Sequence, residues 1–202
     1  MSRKQSPYDY DPDAPLSPEE LRQEAERFTQ RVGARIAELR HQRGYTQQRV
    51  SREHAWNPSQ ISRVEAGKVN FTLRTLCRVA AFLDVRPWEP TVPREQSELA
   101  LEERPTMPRM PSKEERVEEA LVFQKQLGGR VRELRTLQGM TLQTLEAFTG
   151  VERPTLMKIE KGDYNVRAST VVRLAEAIGV YPHELYIPRE QSGIRLKTPG
   201  RS

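Results

Sequence analysis

The chain has 202 residues, 36% of them apolar and 30% charged, with a formal net charge of +5 and a pI near 9.5. A single cysteine, Cys77, excludes a disulfide framework and a thiolate metal site; without an apolar run of about 18 residues or a leader-like start, the chain reads as soluble and cytoplasmic. The basic balance suits a polyanionic partner.

Residues 17–97 align with 112–192 at a constant offset of 95 without a gap, and 28 of the 81 pairs are identical. Chance would give roughly one match in 15–20, so the chain is an internal duplication. The expected organisation is an arm (1–16), a first unit (17–97), a Pro-containing linker (98–111), a second unit (112–192) and a basic tail (193–202).

The arm is polar, holds Pro7, Pro12 and Pro15, and has no periodicity, which predicts disorder. Ser17-Pro18-Glu19-Glu20 reads as a helix start: Ser17 caps, Pro18 suits the first helical position and Glu20 completes a capping box. Phe28, Val32, Ile36 and Leu39 then recur at helical spacing up to Gly44, which fits a helix stop, and predict an opening helix of about 25 residues. Thr46 caps a second helix. A third spans Pro58–Glu65, a fourth carries Leu76, Val79, Ala80 and Leu83, and a fifth starts near Pro87. The second unit repeats the plan from Ser112, with Phe123, Leu127, Val131 and Leu134, Gly139, Thr141, a third helix over Pro154–Glu160, then Val171, Leu174, Ala175 and Ile178, and Pro182. Pro105, Pro108 and Pro111 make the linker semi-rigid, with room for a short helix within 98–103. Thr91-Val92 and Tyr186-Ile187 are candidate brief strands.

The stretches GYTQQRVSREHAWNPSQISRVEAGKVN (44–70) and GMTLQTLEAFTGVERPTLMKIEKGDYN (139–165) share Gly-x-Thr, a turn, then Ile-x-x-Val/Ile-Glu-x-Gly. On these residues the chain resembles the lambda-repressor-like, or Cro/XRE-type, helix-turn-helix DNA-binding domains. The resemblance covers about 55 residues of each unit. It implies an all-α fold of two tandem helix-turn-helix domains, each preceded by a long helical extension. It also implies a sequence-specific regulator of transcription, favouring a repressor, from a bacterium, phage or mobile element, associated with the nucleoid.

The residue pattern supports that reading. Ile61 and Val64 face inward on the third helix and leave Pro58, Ser59, Gln60, Ser62 and Arg63 outward. Arg63 can bind a guanine edge bidentately, and Gln60 or Ser59 can read others. The start of the second helix aims backbone amides at a phosphate beside Gln47 and Gln48. The resemblance adds Gln47 and Asn57 as phosphate or edge contacts, and Lys68 and Asn70 as backbone contacts in the following loop. A polar face on a short helix is by itself only solvated surface; the signature, found twice at one offset, points it at DNA.

The second unit offers Gln143, Arg153, Thr155 and Lys158, with Lys161 and Arg167 beyond. It departs from the pattern at Leu142, where Gln is expected, at Glu146, usually a small buried residue, and at Glu152, a negative charge where phosphate would lie. The first unit departs only at Ala55, where the turn prefers Gly, and Ser51. Residues 17–97 carry 14 Lys and Arg against 10 Asp and Glu, whereas 112–192 carry 12 of each. The first unit is therefore the expected reader of double-stranded DNA. The second unit or the long helices would serve a second half-site, a homodimer contact or a protein partner. The rival class is an antitoxin-like or anti-activator module that uses the fold mainly to bind protein. His41, His54 and His183 share no metal-ligand spacing, and neither a phosphate loop nor a nucleophile elbow occurs. No enzyme activity, cofactor, metal or membrane contact is expected.

Overall fold

The computed structural model describes residues 16–97, 99, 101–103 and 106–191. The expected arm (save Leu16) and the basic tail lie outside them. The helices are α1 (Pro18–Gln42), α2 (Gln47–Glu53), α3 (Pro58–Glu65) and α4 (Leu73–Leu83), then α5 (Lys113–Leu137), α6 (Leu142–Thr149), α7 (Arg153–Lys161), α8 (Ala168–Ile178) and α9 (Pro182–Tyr186). The fold is all-α, and among the described residues no helix is long and apolar enough to cross a membrane.

Local chemistry sets the boundaries. Ser17 Oγ accepts from the Glu20 amide at 3.3 Å while Glu20 accepts from the Ser17 amide at 2.8 Å. Ser112 and Glu115 repeat this at 3.2 and 2.7 Å. Thr46 and Thr141 each accept, at 3.1 Å, from the amide three residues on.

Two glycines explain how α1 meets α3. A Cβ on Gly33 would lie 2.4 Å from the Val64 carbonyl oxygen, so only glycine lets the helices approach this closely; a Cβ on the matched Gly128 would lie 2.1 Å from the Ile159 carbonyl oxygen. Gly67 turns the chain after α3 at φ +66°, a conformation that β-carbons disfavour. Buried guanidinium–carboxylate pairs hold the same junctions. Arg40 Nε and Nη2 donate to the two Glu65 carboxylate oxygens at 2.6 and 2.9 Å, and Arg135 does the same to Glu160 at 2.6 and 3.1 Å. The repeated PREQS segments have a similar cause: Arg94 pairs with Glu38 and Arg189 with Glu133, both at 3.2 Å.

Three expectations need correction. The fifth helix forms in the second repeat as α9, but the first repeat has only a 3-10 turn, Glu89–Thr91. Pro90 stands where Leu185 lies, and it lacks the amide that a further helical turn needs. The brief strands do not form: Thr91 ends that turn and Tyr186 ends α9, while Val92 and Ile187 are extended without a paired neighbour. The described residues of 98–103 are not helical. The linker is instead pinned along the first repeat. Arg35 donates to Leu99 O at 3.2 Å, Arg43 to Glu102 O at 3.2 Å, Tyr45 Oη to Thr106 O at 3.3 Å and His54 Nε2 to Pro108 O at 3.0 Å, with Met107 buried between.

The two repeats share one core. Helix α1 packs on α8 of the other repeat, and α5 packs on α4. Phe28 lies 6.1 Å from Tyr186, which lies 6.1 Å from Phe123, which lies 6.4 Å from Trp88. This aromatic chain crosses the junction twice. Where the loops after α3 and α7 meet, Thr72 and Arg167 form an isolated antiparallel bridge, and the Ala168 amide donates to Phe71 O at 2.8 Å. Thr72 and Arg167 are themselves 95 apart. The repeats therefore face each other about an approximate two-fold axis through this seam.

Candidate nucleic-acid interface

The surface is built outward from α3. Ile61 and Val64 are buried, which leaves Asn57, Pro58, Ser59, Gln60, Ser62 and Arg63 exposed along one continuous face. Asn57 is the exposed N-cap: its Oδ1 accepts from the Ser59 amide at 3.0 Å and the Ser59 hydroxyl at 2.8 Å. The turn before it is tight. Ala55 sits at φ +48°, Ser51 donates to Trp56 O at 2.5 Å, and Trp56 is buried edge-on against Phe82 under the Arg78 guanidinium, 4.3 Å from the ring centre. These contacts fix the angle at which α3 leaves α2.

Gln47 is half-buried and donates to Glu65 at 2.8 Å, so its side chain braces the Arg40–Glu65 pair from the start of α2. Gln48 and Lys68 are exposed. Asn70 directs both ends of its amide across the seam: Nδ2 donates to Ser169 Oγ at 2.8 Å, and Oδ1 accepts from the Ser169 amide at 3.1 Å.

In the second repeat Leu156 and Ile159 are buried, and Arg153, Lys158 and Lys161 are exposed with Thr155 half-buried. Helix α7 starts one residue earlier and ends one later than expected. Gln143 is exposed on α6, and Arg167 caps α8 at the seam. Two carboxylates stand at the start of α7. Glu146 accepts from the Arg153 amide at 2.8 Å, and Glu152 is an exposed N-cap whose side chain bonds no backbone amide. Glu146 thus occupies the amide that a phosphate would seek. Exposed Met157 also replaces Ser62.

Two cations escaped the sequence reading. Arg52 lies one turn beyond Gln48 on the same face of α2, its side chain 79% exposed and paired only with Glu53 at 3.4 Å, and Arg74 is exposed in the first turn of α4. Their signal was the offset itself: Arg49, Arg52, Lys68 and Arg74 become Thr144, Ala147, Asp163 and Ser169. Residues 47–78 carry six Lys and Arg against two acids, and 142–173 carry five against four, so the charge asymmetry is concentrated on this surface.

Among the described residues no three His, Cys, Asp or Glu side chains converge as a metal site. Cys77 is buried, and burial pushes its thiol up to about 12, which leaves it a small apolar core group.

The helix-turn-helix domain family matches the chain twice, over residues 31–89 and 126–185. The chain is 32% identical over 70 residues to an uncharacterized HTH-type transcriptional regulator, y4dJ, of Sinorhizobium fredii (strain NBRC 101917 / NGR234); the match spans 35% of this chain and 91% of that relative. No solved structure matches the chain.

Proposed function

Because the chain belongs to the helix-turn-helix domain family and carries that domain twice, we propose that this DNA-binding regulator is a repressor that seats α3 in a major groove of double-stranded DNA. The observation that carries the reading is the exposed Asn57–Arg63 face, held rigid from behind by Gly33, Trp56 and the Arg40–Glu65 pair. Arg63 and Gln60 supply base-edge donors and acceptors. Gln48, Arg52, Lys68 and Arg74 supply phosphate contacts around them. On this reading, repression acts through occupancy of a promoter by α3 and the cations around it. The second repeat contributes Lys158, Lys161 and Arg167, against the opposition of Glu146 and Glu152.

The test is selection of bound sequences from random duplex, followed by a salt titration on the selected site. With about six phosphates neutralised, log K should fall against log[salt] with a slope near −5. Arg63→Ala should lose about 1–3 kcal/mol and relax preference at one base pair, and Lys158→Ala should lose less. A flat salt response, with no preference for selected over scrambled duplex, would favour the protein-docking class instead; a larger loss from Lys158→Ala would reverse the ranking of the repeats.

A further inference from the structure

We propose that Asn165 and Asn70 latch the repeats into an intramolecular pseudo-dimer whose DNA site is two unequal half-sites one helical turn apart; this rests on the DNA-reading surface above. The bonds at the seam are reciprocal. Asn70 Oδ1 accepts from the amide of Ser169, and Asn165 Oδ1 accepts from the amide of Arg74 at 3.3 Å. Ser169 and Arg74 are equivalent at the offset of 95, as are the two asparagines. Each asparagine caps the first turn of the other repeat's fourth helix. With the Thr72–Arg167 bridge, the loops that follow α3 and α7 are held against each other.

That attachment bounds the distance between the recognition helices. From the middle of α3 to Thr72, and from the middle of α7 to Arg167, the chain reaches at most about 30 Å at helical rise and full extension. It also reverses at Gly67 and Gly162, where Gly67 N donates to Val64 O at 3.0 Å and Gly162 N to Ile159 O at 2.9 Å. The two helices therefore lie well inside roughly 60 Å. A spacing of one DNA turn, about 34–36 Å, fits this bound; two turns, about 70 Å, do not. The half-sites differ because α3 presents Asn57, Gln60 and Arg63 where α7 presents Glu152, Thr155 and Lys158. Two-fold approximate symmetry of the backbone and asymmetry of the side chains together define a site that one chain reads in one direction.

The experiment measures the full chain on the selected duplex with 5 or 10 base pairs inserted between half-sites. The wild type should lose at least about 10-fold on the 5-base-pair insertion and should not recover on the 10-base-pair insertion, because the span cannot stretch to two turns. Asn165→Ala with Ser169→Ala removes the Arg74 amide bond to Asn165 and the Asn70 bond to Ser169 Oγ, leaves the Ser169 amide bond to Asn70 Oδ1, and substitutes nothing in the first repeat. Because the α1–α8 and α4–α5 packing and the Phe28–Tyr186–Phe123–Trp88 chain still join the repeats, it should cut the spacing penalty by only about 3-fold, while binding to the isolated first half-site stays unchanged. Asn165→Asp keeps the acceptor oxygen and should keep the wild-type spacing profile. Unfolding midpoints for each variant show that the proteins compared are folded. Full recovery at 10 base pairs, a variant with the wild-type profile, or a footprint confined to one half-site would overturn the latch while leaving α3 as a reader. Absence of any specific DNA binding would overturn both.

Discussion

Replacing Arg40 by methionine tests what holds the recognition helix from behind. The guanidinium makes two bonds to Glu65 and one, at 2.5 Å, to Tyr45 O, and the Arg40 and Glu65 side chains are only 5% and 7% exposed. Arg40→Met leaves a carboxylate buried with the Gln47 amide as its remaining hydrogen-bond donor. Breaking a buried pair on one side costs about 3–5 kcal/mol, so the urea midpoint should fall by roughly 2 M at an m-value near 2 kcal/mol/M. Removing both charges is a different perturbation. Arg40→Met with Glu65→Met restores an apolar contact of similar volume, and should regain most of that loss, since such replacements run from neutral to stabilising. Circular dichroism through a urea titration reads both variants, and the shared aromatic core predicts one cooperative transition for the two repeats. A loss under about 1 kcal/mol for Arg40→Met, or no recovery in the double variant, would refute the claim that this pair is buried and coupled.

Ala55 holds a left-handed backbone at φ +48° where the second repeat has Gly150 at +62°, so Ala55→Gly should stabilise by about 1 kcal/mol, seen as a rise of about 2–4 °C in the melting midpoint. Gly33→Ala would set a methyl 2.4 Å from the Val64 oxygen and should cost about 1–3 kcal/mol, with DNA affinity falling as α3 is pushed outward; an unchanged melt and affinity would show that α1 yields freely. His183 is buried beside Tyr181, and burial pulls its imidazole down to about 4 from an ordinary 6.5. The folded state then favours the neutral ring while the unfolded chain takes up a proton, so this contribution is complete above pH 6.5 and is lost as pH falls towards 4. At 1.36 kcal/mol per unit it reaches about 3 kcal/mol, and His183→Phe should remove that part of the slope of stability against pH in this window.

The helices were legible because their signals are local. Ser17 and Glu20, or Thr46 and the amide of Arg49, lie three residues apart, and the capping chemistry needs nothing distant. The fifth helix was misread because Pro87 and Pro182 give the same start signal, and the outcome turned on Pro90 three residues further in. The candidate interface was legible in the inward Ile61 and Val64 and the outward Arg63, but Gln47 and Asn70 show the limit of pattern. Both stand where the resemblance places DNA contacts, and both direct their amides to protein partners, Glu65 at 18 residues' separation and Ser169 at 99. No periodicity encodes contacts at that range.

The duplication nevertheless contains the distinction between scaffold and reader. Residues identical in both repeats, such as Gly33 and Gly128, Arg40 and Arg135, or Asn70 and Asn165, turn out to bear on backbone approach, buried ion pairs and the seam. These are requirements that two copies of one fold share wherever they sit. Residues that differ while exposed, Arg52 against Ala147 and Lys68 against Asp163, lie on α2 and α6 and in the loops after α3 and α7. A charge on such a surface has no folding role to preserve it, so a change there is tolerated unless a partner requires the charge. The first repeat keeps exposed cations on α2, after α3 and at the start of α4, and the second has set Glu146 on the first amide of α7. One backbone plan thus carries two surfaces of unequal charge, and the fixed seam sets them in one order.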